Sequence, residues 1–454
     1  MREKIFEEYS IPKAIFTLAA PTILGMLVTV VYNMADTYFV GKTNDPNMVA
    51  AVALILPIYY VIMALGNIFG VGGGTLISRL LGLKEDEKVK NVSAFCFYGS
   101  LVTGIAFAII LLTVKPLVLQ ILGTSQNTYD FADGYLTAFT LGVPAVMLQF
   151  TLGQIIRAEG AARQSMIGMI IGTVLNIILD PIMILNLGWG VAGAAVATVI
   201  GNISSVIYYI WFLYGKNTVL SIERKFFKAS REIVSYVFKI GFSASLNTFL
   251  ICVSNVILNN YAASYSDNIV AAVGISSRIA QVPKLLIIGL GQGIQPFVGY
   301  NYAAKNYSRM NGILKFSSVI GIVFGIVCYA FIFLTSGTLI RAFLDSKEVI
   351  DLGSAFLRAY ISSLPVLVFL FIFMFSIQAF GKAIAATILS VCRDALAFIP
   401  LIIVLNTVFG YDGLAWAQPI ADIVSCILAA ILFFKIRQKD KNEMQLIKEV
   451  GLGE

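Results

Sequence analysis

The stretch "SSVIGIVFGIVCYAFIFL", residues 317–334, decides the class of fold, because it runs for 18 residues without a charged side chain. A helix needs about 20 mostly apolar residues to cross the hydrocarbon core of a bilayer. Similar runs recur at 99–114, 165–179 and 359–377, and 58% of the 454 residues are hydrophobic while 13% are charged. The mean hydropathy of +0.86 lies far outside the range of soluble domains. The chain is therefore predicted to be an all-α integral membrane protein.

The apolar runs predict about twelve spanning helices. A transmembrane β-barrel would show short segments of alternating polarity, whereas these runs are continuous. The first run follows a mixed-charge stretch and continues to about Val40, so we interpret it as a span rather than a cleaved signal. The predicted spans are 14–40, 49–78, 92–114, 131–156, 163–187, 191–214, 232–261, 269–298, 312–335, 355–379, 384–406 and 412–436.

The placement of charge predicts the orientation of these spans. The net charge is +7, and most of the 32 Lys and Arg residues fall at the two ends of the chain and in every second loop. Basic loops remain in the cytoplasm, so both termini are predicted to be cytoplasmic in a multi-pass protein of the cell membrane. Topology and contact with anionic lipid account for the positive charge, and no nucleic-acid partner is expected.

Short matches repeat along the chain at a nearly constant spacing. "NMVAAV" at 47–52 recurs as "NIVAAV" at 268–273, a shift of 221, and Gly160 meets Gly381 at the same shift. Several such matches indicate two copies of a six-helix unit. Because six is an even number, both copies enter the bilayer from the same side and are predicted to be related by a pseudo-two-fold axis along the membrane normal.

The repeat divides the chain into three predicted parts. Residues 1–215 form an N-terminal six-helix bundle, 216–231 form a cytoplasmic linker, and 232–454 form a C-terminal six-helix bundle with a basic cytoplasmic tail. Architecture of this kind is typical of transporters, in which the binding sites lie near the bilayer midplane.

Ionisable residues inside the spans are the candidate functional residues, because a charge at the centre of a spanning helix is costly. The first half holds Asp36 and Asp180, and a shift of 221 places Asp36 on Ile257 and Asp180 on Leu401. The two acids therefore belong to one copy and not to the shared scaffold. The ionisable residues inside the spans of the second half are Arg278, Lys284, Arg393, Asp394 and Asp422.

Each of the two acids has a polar neighbour four residues away, on the same helix face. Asn176 precedes Asp180, and Tyr32 precedes Asp36. Pro181 cannot donate a backbone hydrogen bond, so a kink beside Asp180 is expected. Oxygen ligands of this kind suit Na⁺ or a proton held on a carboxyl group. The alternative for Asp180 is that it is a neutral structural acid. Arg393 and Asp394 are as consistent with a structural ion pair as with a substrate site.

Other energy sources and chemistries have no support in the residues. The chain has no histidine, and its five cysteines show no ligand spacing. The "GKT" at 41–43 is not a nucleotide-binding loop, because that pattern needs a glycine where Asp36 stands. Transport is therefore predicted to be driven by an ion gradient or to be passive.

The chain resembles the multidrug and toxic compound extrusion (MATE) family over nearly its whole length. The segments that carry the resemblance are "GNIFGVGGGTLISRLLG" (66–82), "RAEG" (157–160), "QAFG" (378–381) and "LNIILDP" (175–181).

This resemblance implies a site for a proton or Na⁺ in the N-terminal lobe, with Tyr32 in the same cavity. The site residues that it implies are Asp36, Asn176, Asp180 and Thr198. Another branch of the family places a Glu on the seventh helix and an Asp on the tenth, and neither acid is present here. A second-lobe Na⁺ site of that type is not expected.

The predicted function is secondary multidrug efflux by two rocking lobes, which export amphipathic, often cationic compounds in exchange for H⁺ or Na⁺. The predicted substrate contacts are Tyr32, Asp36, Asp180 and Arg278, and a monomer is expected. One alternative is a flippase for lipid-linked oligosaccharide or peptidoglycan precursors, which would use the basic residues of the second half. The other is a membrane-embedded aspartyl enzyme using the two acids, which the missing acids of the second copy disfavour.

Overall fold

The computed structural model describes residues 4–43, 45–215, 218–344 and 346–449. All regular elements within these residues are helices. The α-helices are α1 (Ile11–Gly41), α2 (Pro46–Gly82), α3 (Asp86–Thr113), α4 (Lys115–Ile121), α5 (Tyr129–Leu141), α6 (Val143–Ala158), α7 (Ala162–Asp180), α8 (Gly190–Leu213), α9 (Arg231–Ala263), α10 (Asp267–Ala303), α11 (Tyr307–Arg341), α12 (Lys347–Tyr360), α13 (Leu364–Ala379), α14 (Ala383–Val391), α15 (Phe398–Phe409) and α16 (Tyr411–Glu449). Shorter helical pieces are the π-helical segments Lys4–Glu8, Pro181–Asn186 and Cys392–Ala397 and the 3₁₀ turn Arg224–Phe226.

The helices of the described chain are long and apolar enough to cross a membrane. Ten segments meet that requirement singly, and two bent pairs meet it together, α5 with α6 across 53° and α12 with α13 across 44°. Counting each bent pair as one span gives twelve. The predicted all-α membrane fold is confirmed, with ten to twelve spans.

Proline accounts for both bends, which hydropathy did not predict. Pro144 and Pro365 each occupy the second position of a helix, α6 and α13. A proline there is tolerated, since the first backbone N–H groups of a helix have no partner within it. The same residue cannot continue a helix from the preceding turn, so the fourth and tenth spans are each broken in two.

The irregular backbone expected beside Asp180 is present. Helix α7 ends at Asp180, and the π-helical segment Pro181–Asn186 continues the span. The N–H of Leu187 donates to the carbonyl of Ile182 at 2.8 Å, a bond across five residues. The missing N–H of Pro181 explains why the regular four-residue ladder stops at this point.

Unit 1, the first of two compact units, contains the chain as far as Cys252 together with Gln292–Ile313. Within it α2 packs against α3 and α6, and α7 packs against α1 and α8. Its buried core includes Phe69, Phe139 and Met147. The candidate acids of the first copy lie in this unit.

Unit 2 contains Val253–Gly291 together with the chain from Leu314 onward. Helix α16 is central to it and packs against α12, α13 and α15. The core is aromatic, with Phe371 and Phe375 stacked along α13 at a centroid distance of 6.1 Å. These units follow packing contacts, and the lobes expected from the repeat, 1–215 and 232–454, stay a prediction.

Candidate functional site

Three helices of unit 1 bring the predicted site residues of the first copy together. Helix α1 carries two of them, α7 carries two more, and α8 carries one. The members are Tyr32, Asp36, Asn176, Asp180 and Thr198. The pairs on α1 and α7 are four residues apart, which places each pair on one face of its helix.

Thr198 lies at the centre of a hydrogen-bond chain. Its hydroxyl is 3.2 Å from the hydroxyl of Tyr32, and it accepts a hydrogen bond from Nδ2 of Asn176 at 3.3 Å. The same Nδ2 donates to Oδ1 of Asp180 at 3.3 Å. These donor–acceptor distances are longer than the usual optimum, so the hydrogen bonds are weak, although they bring the four side chains together.

Two glycines allow α7 and α8 to approach closely enough for these contacts. A Cβ atom on Gly172 would lie 2.6 Å from the carbonyl oxygen of Gly201, and a Cβ on Gly201 would lie 2.6 Å from the carbonyl oxygen of Gly172. Small residues at a helix crossing permit this backbone approach in membranes. The turn before α8 uses two further glycines, Gly188 and Gly190, with φ of +67° and +54°, a conformation that glycine adopts without steric cost.

Among the residues that the structure describes, three oxygen atoms of the site are buried without a hydrogen-bond partner. They are Oδ1 of Asp36, Oδ1 of Asn176 and Oδ2 of Asp180. Asp180 is 0% exposed and Asn176 is 2% exposed, and the carboxylates of Asp36 and Asp180 interact electrostatically. Burying two neighbouring carboxylates with no positive partner is costly, so the arrangement suits a proton or a cation that satisfies these oxygens.

Two tyrosines beside the acids were not identified from the sequence. Tyr59 of α2 and Tyr135 of α5 lie within electrostatic reach of Asp36. Both rings contact Phe139, at centroid distances of 6.0 Å for each. The available signal was a polar aromatic in an apolar span, "PIYYV" at 57–61. Ring faces near carboxylates form surroundings that attract organic cations.

Three of the five ionisable candidates of the second half, Arg393, Asp394 and Asp422, form a network within unit 2. Nε of Arg393 donates to Oδ1 of Asp422 at 3.0 Å, and its Nη1 lies 3.4 Å from Oδ1 of Asp394. Asp422 also accepts from Gln418 at 3.0 Å and from Ser363 at 2.9 Å. Among the three charged residues the exposed fraction does not exceed 7%. Each carboxylate of this network therefore has a cationic neighbour, whereas Asp36 and Asp180 have none among the residues that the structure describes.

The other two basic candidates, Arg278 and Lys284, belong to unit 2. Arg278 is an exposed residue of α10 in unit 2. The ammonium group of Lys284 lies 3.7 Å from the centroid of the Tyr360 ring, a cation–π contact inside unit 2. The structure thus brings Tyr32, Asp36 and Asp180 into one unit and leaves Arg278 as a prediction.

Comparison with known proteins identifies the family. The MatE family profile matches residues 21–182 and again 243–404, the second match beginning 222 residues after the first. The chain belongs to the MATE family. The double match agrees with the internal repeat seen in the sequence. Because MATE proteins are transporters, the chain is a transporter and not a membrane-embedded aspartyl enzyme.

Several MATE relatives match almost end to end. The multidrug export protein MepA of Staphylococcus haemolyticus is 37% identical over 435 residues, covering 96% of each chain. The protein of the same name from Staphylococcus saprophyticus is 34% identical over 442 residues, covering 97% of this chain and 98% of the relative. A crystal structure of a MATE protein in complex with MaL6 superposes with a TM-score of 0.92 at 25% identity, covering 97% and 99% of the two chains.

Proposed function

We propose that this MATE transporter is a multidrug exporter that exchanges amphipathic, often cationic compounds for H⁺ or Na⁺. The observation that carries the proposal is the set of buried, unpartnered oxygens on Asp36, Asn176 and Asp180. Exported drugs as substrates are supported by the names of the MepA relatives.

The donor set favours a small hard cation as the coupling ion. Carboxylate, amide and hydroxyl oxygens are the ligands that such cations prefer. Asp36, Asn176, Asp180 and Thr198 offer these oxygens in one place, and a proton on either carboxyl group would satisfy the same site. The donor set alone supports Na⁺ and H⁺ equally.

Export follows if the ion and the drug favour different conformations or compete for the same acids. Binding of one then shifts the population of states available to the other. Tyr32, Tyr59 and Tyr135 all lie within electrostatic reach of Asp36, and a carboxylate with aromatic rings nearby is a combination that attracts organic cations. Arg278 stays a candidate substrate contact from the second half.

The flippase alternative receives less support from the site. It needs free basic groups to hold a polyanionic headgroup, whereas Arg393 is ion-paired with Asp422 and Asp394. We further propose that both termini lie in the cytoplasm, on the charge distribution of the loops. The monomeric state stays a prediction.

Ethidium efflux from proteoliposomes under an imposed proton or sodium gradient tests the proposal. Asp36→Asn and Asp180→Asn are each expected to lower gradient-driven efflux by about 5- to 150-fold, the range of typical coupling free energies. Asp133→Asn is the matched control, because Asp133 is a carboxylate of the same unit that pairs with Lys115 at 2.7 Å. Wild-type efflux in both site variants would exclude the site, and the gradient that drives wild-type efflux identifies the ion.

A further inference from the structure

The linker after α8 is docked on unit 1 by hydrogen bonds at several points. Glu159 accepts from the N–H of Val219 at 2.6 Å and from the hydroxyl of Thr218 at 2.7 Å. The N–H of Ser221 donates to Oγ of Ser93, and that Oγ donates to the carbonyl of Ser221, both at 2.9 Å. The sequence predicted a connecting loop, and the structure shows that this loop is hydrogen-bonded to residues of unit 1.

Apolar contacts fix the same segment. Leu220 and Ile222 are 3% and 6% exposed, and the hydroxyl of Tyr98 donates to the carbonyl of Ile222 at 3.1 Å. Phe227 contacts the ring of Tyr98 at a centroid distance of 5.5 Å. A segment held in this way can present a preformed surface to a ligand.

The docked linker borders a surface cavity of about 260 Å³ with basic walls. Lys90 of α3 and Lys225 of the linker place their ammonium groups 5.2 Å and 5.0 Å from the ring centroid of Phe226. The cavity lining therefore carries two ammonium groups that can attract an anion, beside the carboxylate of Glu223. Glu223 pairs with Lys225 at 2.6 Å and competes with that anion.

The position of the cavity along the membrane normal points to its ligand. Tyr214, which follows the last residue of α8, lines the cavity. It is 69% exposed, and Trp211 in the last turn of α8 is 70% exposed. Exposed Trp and Tyr at the end of a span mark the depth of the lipid headgroups. A phosphate at that depth belongs to a phospholipid.

We propose that this cavity binds the phosphate of an anionic phospholipid headgroup between Lys90 and Lys225. Basic pockets beside spanning helices bind such headgroups, and each lysine near an anionic surface contributes about a fivefold factor in affinity. The site is separate from the acids of α1 and α7, and it does not depend on the proposed export function.

Native mass spectrometry of the purified full chain in detergent tests the proposal, with dioleoyl phosphatidylglycerol, dioleoyl phosphatidylcholine and inorganic phosphate as separate probes. The wild type is expected to retain phosphatidylglycerol in preference to phosphatidylcholine. The double variant Lys90→Gln/Lys225→Gln should bind phosphatidylglycerol about 25-fold more weakly, from two fivefold factors. Lys382→Gln, an exposed lysine of another loop, should bind as the wild type does.

A gain in binding separates a headgroup site from a merely structural one. Glu223→Gln removes the competing carboxylate, so it is expected to tighten phosphatidylglycerol binding, and this outcome requires a folded protein. Equal binding by the wild type and the double variant would overturn the proposal, as would weaker binding by Glu223→Gln. Retention of inorganic phosphate as strongly as phosphatidylglycerol would assign the cavity to a soluble anion and overturn the lipid assignment.

Discussion

The buried ion pair of Arg393 and Asp422 in unit 2 should show a favourable coupling, so that a double variant loses less stability than the two single variants' losses added together. Arg393→Met leaves Asp422 with hydrogen bonds only from Gln418 and Ser363 and removes its cation. Removing one partner of a buried ion pair costs about 3–5 kcal/mol, because the other charge stays buried. Asp422→Leu leaves the Arg393 guanidinium with the longer 3.4 Å contact to Asp394, and a similar cost is expected.

The double variant Arg393→Met/Asp422→Leu removes both charges of the pair together. Its remaining losses are the hydroxyl of Ser363 and the amide of Gln418, each about 1–3 kcal/mol when left buried without a partner, and the contact of the buried Asp394 carboxylate with the Arg393 guanidinium. The double variant should therefore be about 2 kcal/mol more stable than the sum of the single effects, within the range of couplings between contacting residues. Equilibrium unfolding in mixed detergent micelles measures the four free energies of unfolding.

The same four proteins distinguish a structural network from a substrate site. If the network only stabilises unit 2, ethidium efflux per folded molecule should stay near the wild-type rate in the double variant. Additive free energies, within about 0.5 kcal/mol, would refute the direct coupling of Arg393 to Asp422. Loss of efflux from a well-folded double variant would show that these residues take part in transport.

Three further substitutions test the site of unit 1 in the same efflux assay. Gly201→Ala should lower both stability and efflux, since its Cβ would lie 2.6 Å from the Gly172 carbonyl oxygen. Gly274→Ala is the control, because its Cβ would meet nothing within 4 Å, and it should leave stability and efflux unchanged. Thr198→Val removes the hydroxyl that bonds Tyr32 of α1 and Asn176 of α7. It should raise the half-saturating ion concentration by about 5- to 30-fold, at about 1 kcal/mol for each of one to two lost bonds; Thr198→Ser should restore it. Tyr59→Ala should raise the half-saturating ethidium concentration by about 2- to 30-fold if its ring contacts the cation, and Tyr59→Phe should not.

Local patterns in the sequence predicted the spans and most of the site. Hydropathy acts within one helix, so the span expected at 163–187 corresponds to Ala162–Asn186 in the structure. The spacing of four between Asn176 and Asp180 is also local, and it survives in their hydrogen bond. Thr198 came from the family resemblance, because nothing in the pattern of α8 distinguishes it from any other threonine in a span.

Contacts between distant segments were not predictable from the sequence. Asp422 was recognised as an ionisable residue, but its role as acceptor for Ser363 and Arg393 depends on three segments meeting. Tyr135 reaches Asp36 only because α5 packs against α2 and α8. Such pairings depend on tertiary packing, which hydrophobic periodicity does not specify.

The two copies of the repeat share an irregular helix and differ in charge. The fifth span contains the π-helical segment Pro181–Asn186, and the eleventh contains Cys392–Ala397. In the eleventh span the loosened turn carries Arg393 and Asp394, whose charges meet each other and Asp422. In the fifth span the turn follows Asp180, which has an amide for a partner and one oxygen with none. A buried carboxylate that already has a guanidinium gains little from a cation, whereas one without a positive partner gains the full interaction. This difference in charge partners is the physical reason for proposing ion coupling in the first copy and not in the second, although both copies contain the irregular helix.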